Sequence, residues 1–300
     1  MIKGLVITPP VIGRISIGKV VEKHGKRLPE KDDQFTITSQ VQNRDGWVTH
    51  PLDDALRKSS GSDKLRAIPI RFLFNDPDLN LRAEYTLFDS HSSRPLCVGN
   101  GETCRRYTAT GMQTLPCPSP DGCELAQDGQ CKPYGRLNVM IGDTEEMGTF
   151  IFRTTGFNSI RTLAARLRYY QAASGNLLAC LPLELRLRGK STALSHRAPI
   201  YYVDITIREG LTMEEAFAQA KLLNERRQSA GYDQVALDAA AWAGLGNGAF
   251  EDAEEERPEI VEEFFTATEP STEASIAQSG KEGKVGLREK LNAKVENADT

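Results

Sequence analysis

Two stretches late in the chain alternate apolar and polar residues. In LPLELRLRGK, Leu181, Leu183, Leu185 and Leu187 share one side, with Glu184, Arg186 and Arg188 opposite. In PIYYVDITI, Tyr201, Val203, Ile205 and Ile207 do the same. A period of two places successive side chains on opposite faces of a strand, so each strand buries one face and wets the other. Strands buried on both faces read instead as unbroken apolar runs. The pattern predicts an antiparallel or mixed sheet with one wet face.

More strands fit that sheet. Residues 12–22 and 34–39 read as strands around a charged turn, and RLNVMIGD and GTFIFRTT read as two further strands. AIPIRFLF (67–74) and LRAEYTLFDS (81–90) read as a strand pair joined by NDPDLN, a turn by its Asn, Asp and Pro content. Two long helices are expected. NSIRTLAARLRYYQAA puts Ile160, Leu163, Ala164, Leu167 and Tyr170 on one stripe. TMEEAFAQAKLLNERRQ opens with a Thr212/Glu215 capping box, and Gly231 follows as a stop. PLDDALRKSS is a shorter helix candidate.

The charge distribution divides the chain. Residues 245–300 hold 14 acidic and 6 basic residues, whereas residues 1–244 hold 27 and 31. The acidic end is poor in apolar residues and cannot bury enough surface to offset the entropy of ordering. The expected organisation is an α+β domain over 1–232 and a mostly disordered acidic tail over 233–300. Within the tail, EIVEEFFTA and GLREKLNAKV are candidates to fold onto a partner.

Five of the six cysteines fall within 35 residues: Cys97, Cys104, Cys117, Cys123 and Cys131. The segment PCPSPDGCELAQDGQCKP is turn-forming and polar, with little from which to build a core. No apolar run is long enough to span a membrane. The start, MIKGLVITPPVIGR, has two prolines in its apolar stretch and no small-residue cleavage site, so no signal peptide is expected. A cytoplasmic location follows, where clustered thiols bind metal more often than they form disulfides. The cluster is therefore read as a structural zinc site inserted at about 95–133, in which metal binding would replace a hydrophobic core. Four places and five thiols leave one spare. Cys117, Cys123 and Cys131 lie in turn-rich sequence. Cys97 is favoured for the fourth place, because glycines at 99 and 101 let the backbone bend around a thiolate, with Cys104 as the alternate. Cys104 leads into RRYTAT, which reads as strand. Cys180, before a strand, reads as a small buried hydrophobe.

Catalytic motifs are lacking. The sequence contains no phosphate-binding Gly-rich loop with Lys-Ser/Thr, no G-x-S-x-G and no H-E-x-x-H, and only four histidines. A catalyst is not expected; a metal-dependent hydrolase is the alternative. Arg161, Arg166 and Arg168 on a helix, with Arg186 and Arg188 on a strand face, are weak candidates for contact with DNA phosphate or an acidic protein.

Several segments in order carry a resemblance. They are Gly-Arg-Ile before the charged turn, FTITS after it, the cysteine cluster, CKPYGRL, a strand ending RTTG, and NSI opening a helix. Over about 10–210 the chain resembles the recombination directionality factor-like family of phages and integrative elements, some of whose members are labelled hydrolase or metal-binding protein. The resemblance implies an accessory protein that binds a large serine integrase on DNA and switches it from integration to excision, mainly by protein contact. It carries the zinc set onto Cys97, Cys117, Cys123 and Cys131, with Cys104 a departure from the family pattern. The other reading from a different class is a zinc-containing DNA-binding or recombination-complex partner on a mobile element.

Overall fold

A computed structural model describes residues 10–23, 26–43, 46–89, 94–143, 148–191 and 199–244; the acidic segment beyond 244 lies outside them. The described elements, in order, are β1 (Val11–Lys23), β2 (Lys26–Asn43), β3 (Gly46–Thr49), α1 (Pro51–Ser60), β4 (Ala67–Arg71), α2 (Pro77–Asn80), β5 (Leu81–Phe88), β6 (Pro95–Gly99), β7 (Thr103–Thr108), β8 (Gly111–Pro116), α3 (Ser119–Gly122), β9 (Cys131–Ile141), β10 (Thr149–Thr154), α4 (Phe157–Ala173), β11 (Leu183–Lys190), β12 (Ile200–Ile207), α5 (Met213–Ser229) and α6 (Gln234–Gly244). The fold is α+β with a mixed sheet. The main arm runs β3-β2-β1-β10-β9-β5-β6-β7-β8, and a second arm, β4-β11-β12, joins it where β4 pairs with the end of β9. β1 and β10 are parallel, and the other pairs are antiparallel.

The core lies on one face of the main arm. Leu137, Val139, Phe150 and Phe152 point to it from β9 and β10, meeting Leu163 and Leu167 of α4 and Leu183, Leu185, Val203 and Ile205 of the second arm. The expected helical stripe is the buried one: Ile160, Leu163, Leu167 and Tyr170 are buried. Gly135 lets α4 sit down on the sheet, since a Cβ there would stand 2.9 Å from Ile160 Cγ1. The capping box at Thr212 and Glu215 forms, with Glu215 N–H donating to Thr212 Oγ1 at 3.2 Å and Thr212 N–H to Glu215 Oε2 at 2.8 Å. Cys180 is buried in the core, as expected.

The outer edge of β12 is closed by side chains. Val203 N–H donates to Ser159 Oγ at 3.1 Å and Ile205 N–H to Asp204 Oδ1 at 2.9 Å, while Tyr170 bonds the backbone of Ile207. Edge amides paired in this way are not offered to another strand.

Four expectations are corrected. β4 and β5 are not a strand pair: β9 lies between them, pairing with β5 along Cys131–Leu137 and with β4 at Met140 and Ile141. NDPDLN is not a simple turn, because Asp76 caps the short helix α2 by accepting from Asp78 N–H at 2.9 Å. The cysteine region is not an inserted loop through most of its length; β6, β7 and β8 extend the main sheet. The sequence from 233 does not depart at once from the domain, since α6 packs Ala241 against Phe74, Leu79 and Met140. Alanine-rich helices carry little hydrophobic contrast, which hides this one from a search for apolar stripes.

Candidate metal centre

Strand register brings the cysteines together. Cys131 on β9 lies opposite Leu87 on β5, Leu87 opposite Cys97 on β6, and Cys97 opposite Arg106 on β7. Two residues along, Gly99, Cys104 and Leu115 form the next row on the same face. Leu87, Cys97 and Cys104 make a small buried cluster of their own, with Leu115, Cys117 and Cys131 against it. Cys117 follows β8, its N–H bonded to Glu102 O at 2.8 Å, and Cys123 links α3 to a 3₁₀ turn over Glu124–Gly129. All five clustered thiols therefore come to one end of the sheet, two from a turn-rich segment and three from strands. Gly99 makes the approach possible. Its missing side chain leaves room for Cys117, because a Cβ at 99 would stand 2.9 Å from Cys117 Sγ and 2.7 Å from Cys104 Cβ. This glycine supplies space rather than the expected bend.

A cation sits among the sulfurs. Arg106 Nε donates to Cys97 Sγ at 3.5 Å, and its Nη2 lies 4.0 Å from Cys104 Sγ and 3.9 Å from Cys123 Sγ. The Cys104 thiol donates to Pro116 O at 3.7 Å. Burial, then charge from Cys97, Cys123 and Cys117, pushes the Cys131 thiol up to about 12. Burial and the neighbouring Cys97 push Cys104 up to about 11, opposed by Arg106. Cys97, Cys104 and Cys123 all have their sulfurs within 4.0 Å of the one Arg106 guanidinium, so each thiolate formed here raises the cost of the next.

In kind and number the donors fit a soft divalent ion such as zinc. As the side chains stand, with Arg106 among them, no three His, Cys, Asp or Glu residues among those described are spaced to hold a metal ion. The sequence gives a signal for Arg106: two places after Cys104 on a strand, it shares that residue's face.

The candidate contact arginines lie elsewhere. Arg166 and Arg188 both pair with the buried Asp204, at 2.9 and 3.3 Å. Arg186 pairs with buried Glu184 and with Glu209, and Arg168 pairs with Asp78 at 3.3 Å. Arg161 is exposed on α4. Glu184 and Asp204, on the faces expected to be wet, are buried because these arginines cover them.

A sequence model described as Gp3-like, recombination directionality factor-like, matches residues 12–208. The chain belongs to this family. The match runs from β1 through the end of β12 and takes in the whole cysteine region; α5 and α6 lie beyond it. No curated protein and no solved structure matches the chain significantly. Among the described residues of this Gp3-like protein, no helix is long and apolar enough to cross a membrane.

Proposed function

We propose that this protein is a cytoplasmic accessory factor that sets the direction of site-specific DNA recombination by binding a serine integrase, with no covalent chemistry of its own. The observation that carries the reading is the recombination directionality factor-like match across both arms of the sheet. A directional switch requires a difference in affinity, because a ligand that binds two states equally shifts nothing. About 3–5 kcal/mol between two synaptic arrangements of the integrase is enough to reverse the preferred outcome. The protein's contribution is a stiff surface: a sheet whose β12 edge is closed and whose far end is gathered by cysteines.

In this reading Cys97, Cys117, Cys123 and Cys131 hold one structural zinc. Cys104 is the spare, being deepest in the cluster at 2% exposed and bonded to Pro116 O. A bound zinc would supply four-way cross-linking of thiolates in a region with little apolar surface. Arg106 would then hold the remaining negative charge on the sulfurs. Direct contact with DNA phosphate is a minor contributor, because Arg166, Arg168, Arg186 and Arg188 are engaged with carboxylates.

The test is a recombination assay on the junction sites of an integrated element, using the integrase encoded with this protein. Adding the protein is expected to start excision and suppress integration. An unchanged direction refutes the proposal.

A further inference from the structure

Helix α6 is inverted for a surface helix. Its polar side chains face the domain. Gln234 Nε2 donates to Leu73 O at 3.0 Å and to Asp238 Oδ1 at 2.8 Å, and Asp238 Oδ2 accepts from Asn75 N–H at 3.1 Å. The face away from the domain carries Val235, Ala236, Ala239, Ala240, Trp242 and Ala243, all exposed and none of them charged. Val235 is 74% exposed and Trp242 44%. The polar atom of Trp242 is already used, since Nε1 donates to Asp76 Oδ2 at 2.8 Å, and the ring adds only apolar surface to this face. A surface helix ordinarily turns charged and polar residues outward, and a helix whose outward side is apolar is one that another element covers.

A matching element lies just downstream. In PEIVEEFFTAT (258–268), Ile260, Val261, Phe264 and Phe265 recur at the spacing of one helix face, with Glu259, Glu262 and Glu263 on the other. Pro258 suits the first helical position, the glutamates suit the N-terminal turns, and Pro270 bars continuation. A helix of these eleven residues is about 16 Å long, the same as α6 with its 11 residues. Alone it is too short to be stable in water, so its order must come from packing. Thirteen residues, 245–257, with glycines at 246 and 248, link it to α6. A flexible linker of that length spans about 20 Å, close to the length of α6 that it has to retrace.

We propose that residues 258–268 of this chain form a helix that docks on the outward face of α6, laying Ile260, Val261, Phe264 and Phe265 over Val235, Ala239 and Trp242. The tether favours this occupant over a separate molecule, because it holds the segment at high local concentration. Size favours it over a second copy of α6. Alanine against alanine buries little, whereas each phenylalanine buries about 150–250 Å² and fits the shallow surface that alanines leave. Glu259, Glu262 and Glu263 stay in water on the far side of the docked helix. The domain thus extends beyond α6, closed by a segment of its own acidic end.

The test uses the full-length chain with the photo-reactive residue p-benzoylphenylalanine in place of Phe264. Irradiation followed by peptide mapping is expected to give adducts at monomer mass on α6. Adducts at dimer mass, adducts confined to other elements, or no adduct would overturn the proposal. A second full-length chain adds Val261→Asp and Phe265→Asp, which alters no residue between 10 and 244. Its adduct yield on α6 is expected to fall at least tenfold, and an unchanged yield would overturn the apolar basis of docking. No integrase is present in either experiment, so the outcome is independent of the recombination reading.

Discussion

Gly99 lies flat beneath Cys117, so that any side chain at 99 would press on the sulfur: an added Cβ stands 2.9 Å from Cys117 Sγ. The same Cβ meets Cys104 Cβ at 2.7 Å, and neither neighbour is the end of a long flexible chain. Gly99→Ala must move β6 or the Cys117 turn. Overpacking of this kind costs about 1–3 kcal/mol. Denaturant unfolding of the variant is expected to show a loss in that range; a loss of zero would mean that the cysteine end is loosely packed.

The proposed zinc set separates Cys97 from Cys104. Elemental analysis of the purified protein is expected to give about one zinc per chain. Cys97→Ser and Cys123→Ser should lose the metal and much of the solubility, whereas Cys104→Ser should retain the metal. A well-folded wild-type protein that contains no metal contradicts the assignment.

Asp143 ties three elements together. It accepts from Arg71 Nε at 2.9 Å and from Arg208 Nη1 at 2.6 Å, joining β4, the end of β9 and the end of β12. Arg208 first, then Arg71, holds its carboxyl below the ordinary 3.8. A lowered folded-state value stabilises the fold above the unfolded-state value, and that stability is lost as pH falls through the folded one. Asp143 is 57% exposed, so solvent screening limits the effect. Asp143→Asn should cost at most about 1 kcal/mol at neutral pH. The difference between wild type and variant should be full above pH 3.8, begin to shrink as pH falls below it and vanish only below the lowered folded-state value, as urea titrations from neutral into acid pH would show.

How much of this was legible in the sequence depends on where each signal resides. β11, β12 and α4 are plain because each lays one face on the core, which writes the period into the residues. The capping box at Thr212 is equally local. RRYTAT reads as strand, but the hairpin of β7 and β8 has exposed residues on both faces, so Gly111–Pro116 shows no clear alternation and is absorbed into the expected loop. The separation of β4 from β5 by β9 is a long-range pairing, written in no short segment. The gathering of the five thiols was foreseeable from their clustering, and Arg106 among them only from the strand alternation.

Differential affinity is the centre of the functional account. It is measured most directly by titrating the protein onto the integrase bound to the junction sites of the integrated element and, separately, to the sites used for integration. The account predicts dissociation constants that differ by about a hundredfold or more, with the tighter complex on the junction sites. Equal constants on the two sets of sites would contradict it.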